Sequence, residues 1–210
     1  MTPRQAGYEA EVQRAALGNT DSAHDLGHLR RVWANARKLA LGTTADIDLL
    51  EAAAFLHDLV NPPKSSPDRA RASTLSAEAA SRFLATTDFA PDLIPAVAHA
   101  IAAHSFSTGI PPETLEAKIL QDADRLDALG AIGLARMFAV AGAMGAALFD
   151  PDDPLALARP LDDRRFSLDH LETKLLTLPQ TMQTDTGRQM AEERAEWMRA
   201  FRSRLLREIP

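Results

Sequence analysis

The stretch ETLEAKILQDADRLDALGAIGLARMFAVAGAMG, residues 113–145, has the strongest helical pattern in this sequence. Pro111 and Pro112 precede it, where prolines favour the start of a helix. Its apolar residues cover much of the helix surface, which is typical of a central helix covered on several sides. Gly130 and Gly133 are the points where we expect this long segment to divide or bend. The fold therefore depends on a buried helical segment that also contains several carboxylates.

Apolar residues recur at helical spacing along most of the remaining chain, whereas alternating runs of β-branched or aromatic residues are missing. Caps and breakers indicate the helix ends: Thr2-Pro3 starts the first helix, Asp46 caps the third, and Asn61-Pro62-Pro63 ends it. We expect an all-α fold with helices at about residues 3–17, 24–41, 46–60, 66–85, 91–104, 113–145, 167–178 and 185–208.

The chain has 210 residues, of which 46% are hydrophobic and 25% charged, as in a soluble globular enzyme. We expect a single domain over residues 1–210, with a core at about 20–140 and C-terminal helices at 165–208 packed on it. The acidic, proline-rich segment 149–163 reads as a surface loop. This segment and the loop around Lys64 are the parts that we expect to close over a ligand.

Composition excludes several classes of function. Lys and Arg number 23 against 29 Asp and Glu, and the net charge of −6 argues against a surface that follows a nucleic-acid backbone. The absence of cysteine excludes disulfides, thiolate metal sites, iron–sulfur clusters and a thiol nucleophile. No stretch approaches the roughly 18 apolar residues of a spanning helix, and the first residues lack a signal-peptide core. We therefore expect a cytoplasmic protein with neither a nucleic-acid nor a membrane partner.

The histidines are grouped in a way that indicates a metal site. They are His24 and His28, His57 beside Asp58, His99 and His104, and the isolated His170. Without thiolates a divalent cation needs imidazole and carboxylate ligands, and helical bundles build such sites from inward side chains of facing helices. His28, His57, Asp58 and Asp124 supply that set. Because one histidine on an apolar helix face is usually a packed core residue, only the combination favours the metal site.

The segment DADRLDALG, residues 122–130, places Asp122, Asp124 and Asp127 on an otherwise apolar helix. Burying unpaired carboxylates costs several kcal/mol unless a cation or a metal ion compensates them. Either a metal ion or an ion pair with Arg125 provides that compensation. The residues alone leave both explanations open.

At these residues the sequence resembles the superfamily of HD-domain metal-dependent phosphohydrolases. The matching motifs are His28 ahead of Arg31-Val32, the doublet that ends AAAFLHDLV at residues 52–60, and Asp124 followed by Arg125. HSFS at residues 104–107 and EAKILQDADRLDALGAIGLAR at 116–136 are similar to a bacterial branch of small HD hydrolases that act on nucleotides. The likeness extends from about residue 20 to the C-terminal helix, which implies a single HD-type helical bundle with additional C-terminal helices.

The resemblance implies that His28, His57, Asp58 and Asp124 bind a divalent metal ion, with Asp122 as the rival of Asp124. Mn²⁺ is the expected ion, with Fe²⁺, Co²⁺, Ni²⁺, Mg²⁺ and Zn²⁺ as alternatives. The other implied roles are phosphate or substrate binding by His24, Lys64, His104 and Arg125, catalysis by Asp58, His104 and Arg125, and hydrogen bonding to the ligands by Asp122 and Asp127.

The function that the resemblance implies is metal-dependent hydrolysis of a nucleotide phosphate bond by attack of a metal-bound water. The reaction is either that of a nucleoside triphosphate pyrophosphohydrolase or that of a nucleotidase. The expected partner is a small phosphorylated substrate, and both a monomer and a homodimer remain open.

Two alternatives come from other classes of protein. A non-catalytic helical module would keep the fold and a structural metal and would bind without turnover. A zincin-like peptidase is suggested by His24-Asp25-Leu-Gly-His28, which resembles HExxH. Asp25 is shorter than the glutamate which that motif uses as a base, and Gly27 weakens the helix that the motif needs.

Overall fold

The structure, a computed structural model, describes residues 1–16, 26–62, 66–105 and 108–209. Over these residues the chain is helical, with no strand and one isolated bridge between Ala147 and Phe166. The prediction of an all-α fold is confirmed. The helices are α1 (Pro3–Ala15), α2 (Leu26–Leu39), α3 (Ile47–Leu56), α4 (Ala72–Leu84), α5 (Ile94–His104), α6 (Leu115–Asp127), α7 (Gly130–Ala143), α8 (Asp169–Thr173) and α9 (Asp185–Leu206).

The chain divides into two compact units, Met1–Asp124 and Arg125–Pro210, and the division falls inside α6. In the first unit α3 is the central helix, because it packs against α1, α2, α4 and α5. Its residues from Leu49 to Leu56 are all buried. A helix that is buried on every side in this way, with Glu51 as the one charged residue of the run, is stable only in a protein interior. The expectation of one domain over residues 1–210 stays a prediction.

The predicted caps at the starts of α1 and α3 are present. The Thr2 hydroxyl accepts a hydrogen bond from the Gln5 backbone N–H, and the Gln5 side chain accepts one from the Thr2 backbone in return. The Asp46 carboxylate accepts the Leu49 N–H. Each cap satisfies a backbone donor that a helix start otherwise leaves without a partner.

The long helical stretch of residues 113–145 is divided where the sequence predicts. Helix α6 ends at Asp127, and α7 begins at Gly130, whose φ of +73° lies in the left-handed region that glycine adopts without strain. The Gly130 N–H donates to the Met198 sulfur, which lies in the same unit. Gly133, the other expected breaking point, lies within α7.

In three of the predicted segments a helix end differs from the structure by about four residues or more. Helix α3 ends at Leu56 rather than near residue 60, so that His57 is its C-cap and Asp58 follows the helix. The segment 66–85 begins with a 3₁₀ turn, Pro67–Arg71, before α4. The segment 167–178 is not one helix but α8 followed by a 3₁₀ segment, Leu175–Thr181, and the two are separated at Lys174, whose φ of −138° and ψ of −60° are not helical.

In the second unit, α7 packs against α9, and the 3₁₀ segment Leu175–Thr181 packs against α8 and α9. The segment between α7 and α8 is irregular and anchored by Arg159. Its guanidinium lies 4.4 Å from the Phe166 ring centre and donates to Asp169 at 2.6 and 3.0 Å. This segment contains residues 149–163, whose expected role as a lid stays a prediction.

Within the described ranges, no single helix has the length and apolar character that crossing a membrane requires. One bent pair, Leu115–Asp127 with Gly130–Ala143, meets those criteria only when both helices are counted together.

Gly133 lies where the start of α7 leaves no room for a side chain. A Cβ at this position would lie 2.1 Å from the Ala128 carbonyl oxygen, which is backbone and cannot turn away. We expect Gly133→Ala to lower the free energy of unfolding by roughly 1–3 kcal/mol, as overpacking does. Urea unfolding followed by circular dichroism measures the change.

Gly142→Ala is the matched control, because a Cβ at Gly142, in the same helix, meets no atom within 4 Å. Alanine is the better helix former, so this variant should be as stable as the original chain or slightly more stable. Equal unfolding midpoints for the two variants would contradict the packing described for Gly133.

Candidate metal centre

His57 is positioned by the end of α3. Its ring Nδ1 lies 2.8 Å from the Ala54 carbonyl oxygen, one of the carbonyls that a helix end leaves without a backbone donor. Since a carbonyl can only accept, Nδ1 must donate, and the neutral ring then has its lone pair on Nε2. The ring is fully buried. Helix α3 therefore fixes both the direction and the tautomer of this imidazole.

His28, on α2, faces that lone pair. The two Nε2 atoms are 3.3 Å apart, and His28 is almost as deeply buried as His57. Because the His57 nitrogen is an acceptor, the His28 nitrogen must either donate a proton to it or share a cation with it. Two buried imidazole nitrogens turned toward one point are the arrangement that metal-binding histidines present.

Two carboxylates lie beside this pair. Asp58 Oδ2 is 3.6 Å from His57 Nε2 and 3.7 Å from His28 Nε2. Asp124 Oδ1 is 3.5 Å from His28 Nε2 and 3.9 Å from His57 Nε2. The Asp58 and Asp124 side chains remain 20% and 31% exposed, whereas the imidazoles are at most 1% exposed. The cluster is thus closed on the histidine side and accessible on the carboxylate side.

The arrangement of His28, His57 and Asp58 fits a divalent ion, and Asp124 approaches both imidazoles but is not part of the group whose ligand atoms all lie within 4.8 Å of one another. Metal–ligand bonds of about 2.1 Å put neighbouring ligand atoms of an octahedron roughly 3 Å apart and opposite ones roughly 4 Å apart. The separations between imidazole nitrogens and carboxylate oxygens and between the two nitrogens, 3.3 to 3.9 Å, lie between these values. The ligand atoms of His28, His57 and Asp58 all lie within 4.8 Å of one another. Imidazole nitrogens and carboxylate oxygens together suit Mn²⁺, Fe²⁺, Co²⁺, Ni²⁺ and Zn²⁺.

His104, the last residue of α5, lies next to the cluster. Its Nδ1 is 2.6 Å from the Ile101 carbonyl oxygen, so this ring too keeps its lone pair on Nε2, which is 3.8 Å from Asp58 Oδ1. Its ring centre lies 4.8 Å from that of His57. Burial lowers the pKa of His104, and the neighbouring His57 lowers it further, although Asp58 and Asp124 act in the opposite direction.

Two buried amides hold the backbone near the cluster, and the sequence did not predict this role for them. Asn35 donates to the Ala123 carbonyl at 3.2 Å, next to Asp124 in the chain. Gln121 donates to the Ala103 carbonyl at 2.8 Å, next to His104. The sequence contained one weak indication of this role, since each amide lies one or two turns from a candidate metal ligand on the same helix.

The other predicted site residues have different surroundings. Asp122 is fully buried. Asp127 is buried in the second unit and accepts a hydrogen bond from Arg136 at 2.6 Å. Arg125, the first residue of that unit, donates to the Thr181 carbonyl. His24 and Lys64 lie outside the described residues.

The fold and the cluster together define a class of helical protein in which histidine and aspartate side chains from different parts of a helical bundle lie close enough to bind a metal ion. A profile of the HD domain matches residues 25–129, which include all four side chains of the cluster. The chain belongs to the HD-domain family.

Individual relatives extend the match over nearly the whole chain. The protein YpgQ of Bacillus subtilis is 34% identical over 201 residues, which are 94% of this chain and 90% of YpgQ. A structure of YpgQ in complex with ADP superposes with a TM-score of 0.72 and 33% identity, covering 98% of this chain and 95% of that one.

Two further solved structures agree. An HD-superfamily hydrolase of Bacillus thuringiensis gives a TM-score of 0.71 at 32% identity, with 97% of each chain covered. A protein of Lactobacillus plantarum gives 0.74 at 29% identity, with 99% of this chain and 98% of the other covered. The fold of this chain is that of the HD-superfamily hydrolases.

The lowered pKa of His104 predicts a pH dependence of stability in the metal-free protein. Below the ordinary imidazole pKa of 6.5 the unfolded chain binds a proton that the folded chain rejects, so stability should fall as the pH drops below that value. Above it the ring is neutral in both states and has no such effect. We expect His104→Gln to reduce the loss of stability between pH 7.5 and pH 5.5, which urea unfolding measures.

His170→Gln is the control, because His170 is paired at 2.9 Å with Asp163 outside the cluster. If His104→Gln leaves the slope of stability against pH unchanged, the burial of a neutral His104 is wrong.

Proposed function

We propose that this chain is a metal-dependent phosphohydrolase that cleaves a phosphate bond of a nucleotide. The observation that supports it best is the cluster of His28, His57, Asp58 and Asp124, with its imidazoles buried and its carboxylates accessible. A structural metal site is closed by protein ligands, whereas a catalytic one keeps positions for water and substrate. The accessible carboxylate side favours the catalytic alternative over a module that only binds.

In this proposal the four side chains hold one divalent ion, of which Mn²⁺ is the first to test. When bound, such an ion lowers the pKa of water and polarises a phosphoryl oxygen. The protein needs no nucleophile of its own. His57 and His28 supply neutral nitrogen ligands from buried positions, and the two aspartates supply negative charge that retains the ion.

His104 is proposed to move the proton. Burial keeps its ring neutral near pH 7, and its Nδ1–H is engaged by the Ile101 carbonyl, so Nε2 is the atom that can accept a proton. Nε2 lies on the Asp58 side of the cluster, 3.8 Å from that carboxylate. A proton taken up there during attack would be available for the leaving group afterwards.

Two considerations support a nucleotide as the substrate. YpgQ, a relative over nearly the whole chain, has been solved with ADP. Lys64, which the motif resemblance assigns to phosphate, is the cationic side chain proposed to bind it as a point charge. Because shared fold does not fix the base, the sugar or the bond cleaved, these are matters for the assay.

The assay is a ³¹P NMR readout of chelator-stripped protein with Mn²⁺, Mg²⁺, Co²⁺ or Zn²⁺ and a mixed pool of nucleoside mono-, di- and triphosphates. Pyrophosphate with a monophosphate would indicate attack at the α phosphorus, and orthophosphate would indicate removal of the terminal phosphate. Binding of metal and nucleotide without any turnover would contradict the proposal and favour the non-catalytic module.

Asp58→Asn keeps the size of the side chain but removes the charge and one oxygen ligand. We expect it to lower the turnover rate by about a thousandfold or more, since the metal chemistry depends on the ion being held. Calorimetric titration of Mn²⁺ should show affinity weakened by at least about tenfold.

Asp92→Asn is the matched control, because Asp92 is an exposed aspartate of the same unit that lies outside the cluster. This variant should retain both turnover and Mn²⁺ affinity. Full activity in Asp58→Asn, or equal losses in the two variants, would sink the assignment of Asp58.

A further inference from the structure

A cavity of about 560 Å³ lies in the first unit, between the start of α1, the helix α3 and the end of α4. None of the metal-centre residues lines it. Its walls include the aromatic side chains of Tyr8, Phe83 and Phe89. A concave site of this size with apolar walls and a few polar groups is the usual form of a small-molecule site.

The charge of the cavity is negative. Three carboxylates and one guanidinium line it, namely Asp48, Glu51, Asp88 and Arg4. The guanidinium is already paired, with Arg4 2.9 Å from Asp48. The other two carboxylates lack a cationic partner among the described residues. The cavity therefore repels phosphates and other anions and attracts cations.

Glu51 is the more informative of the two, because it is buried. Its one hydrogen bond in the described structure comes from the neutral amide of Gln5, at 2.6 Å. A buried carboxylate without a countercharge is costly unless something positive approaches it. The position of Glu51 in the wall of the cavity provides the route for that approach.

The phenol of Tyr8 is a second, independent sign of a ligand. Tyr8 is 3% exposed, and its hydroxyl has no hydrogen-bond partner among the described residues. Burial raises the pKa of Tyr8 to about 12, and the charges acting on the hydroxyl are those of the cavity: Arg4, Glu51, Asp48 and Asp88. The hydroxyl is therefore protonated, and Tyr8 lines the same cavity as these charged residues. Buried tyrosine hydroxyls ordinarily have a partner.

A metal ion does not suit this arrangement. A metal site needs at least three ligand atoms close together. In the described part of the chain, His28, His57 and Asp58 form such a group, with ligand atoms within 4.8 Å of one another. The three carboxylates of the cavity do not form such a group. Two separate carboxylates and aromatic walls suit instead an extended molecule with ammonium groups and an apolar body.

We infer that this cavity binds a small organic diammonium compound, with one ammonium group between Glu51 and the Tyr8 hydroxyl and the other near Asp88. An ammonium group donates three hydrogen bonds, so it can satisfy both the Glu51 carboxylate and the phenol oxygen. The methylene chain packs against Phe83 and Phe89, whose faces also attract the positive charge. The site is independent of the phosphohydrolase proposal.

Tyr8 provides a direct readout, because it is the sole tyrosine of the 210-residue chain. Protein labelled with ring-¹³C tyrosine should show one set of tyrosine ring signals. We expect 1,4-diaminobutane and 1,5-diaminopentane to shift them saturably below about 10 mM at low salt, and added salt to weaken the binding. The neutral analogue 1,4-butanediol should leave the signals in place.

Two substitutions locate the binding. Glu51→Gln should weaken it by about tenfold or more, the usual effect of losing a hydrogen-bonded charge. Gly7→Leu should abolish it, because Gly7 lines the cavity and a Cβ there meets nothing within 4 Å, so the leucine side chain has room to fill the space. Leucine also favours the helix more than glycine, so α1 should form as before.

Gly142→Leu is the matched control, since Gly142 also has open space at its Cβ but lies in the second unit. It should bind the diamines like the original chain, and circular dichroism should show the same helix content in all variants. The proposal is overturned by any of three results: no shift of the Tyr8 signals, equal shifts with the diol, or binding that neither Glu51→Gln nor Gly7→Leu weakens.

Discussion

Two imidazole nitrogens, His28 Nε2 and His57 Nε2, face each other 3.3 Å apart in the interior of the first unit. Because the Ala54 carbonyl fixes the His57 tautomer, these rings cannot both be neutral acceptors without a proton or a cation between them. The neighbouring carboxylates favour a positive charge between the two nitrogens. Asp58 and Asp124 place carboxylate oxygens within 4 Å of both nitrogens, which favours a cation at this point.

The helices bury the imidazole nitrogens that would bind a metal ion and leave the carboxylate side of the cluster accessible to solvent. Helix α3 is buried along most of its length, and His57 follows its last residue, so the His57 ring is buried while the side chain of the next residue, Asp58, stays partly exposed. His104 has the same arrangement at the end of α5, because its Nδ1 donates to the carbonyl of Ile101, three residues earlier. Histidines at buried helix ends thus present Nε2 to the cluster, and the aspartates keep one side accessible.

Much of this could be predicted from the sequence. The periodicity of apolar residues predicted the all-α fold, and Gly130 predicted the division between α6 and α7. The motifs predicted that His28, His57, Asp58 and Asp124 lie close together. These features are local in sequence or have a recognisable spacing. The end of α3 at Leu56 was not predicted. His57 caps the helix because its ring bonds to the Ala54 carbonyl, and the sequence pattern did not indicate that bond. The amides of Asn35 and Gln121 bond to distant backbone, which no local pattern specifies.

The central claim is that one divalent ion is held by His28, His57, Asp58 and Asp124. Crystals grown with Mn²⁺ and measured at the manganese absorption edge test it most directly, because anomalous scattering locates the ion without reference to activity. The account predicts one strong peak about 2.2 Å from a nitrogen or oxygen atom of each of the four side chains. A peak elsewhere, or a peak that Asp124 does not contact, would contradict it.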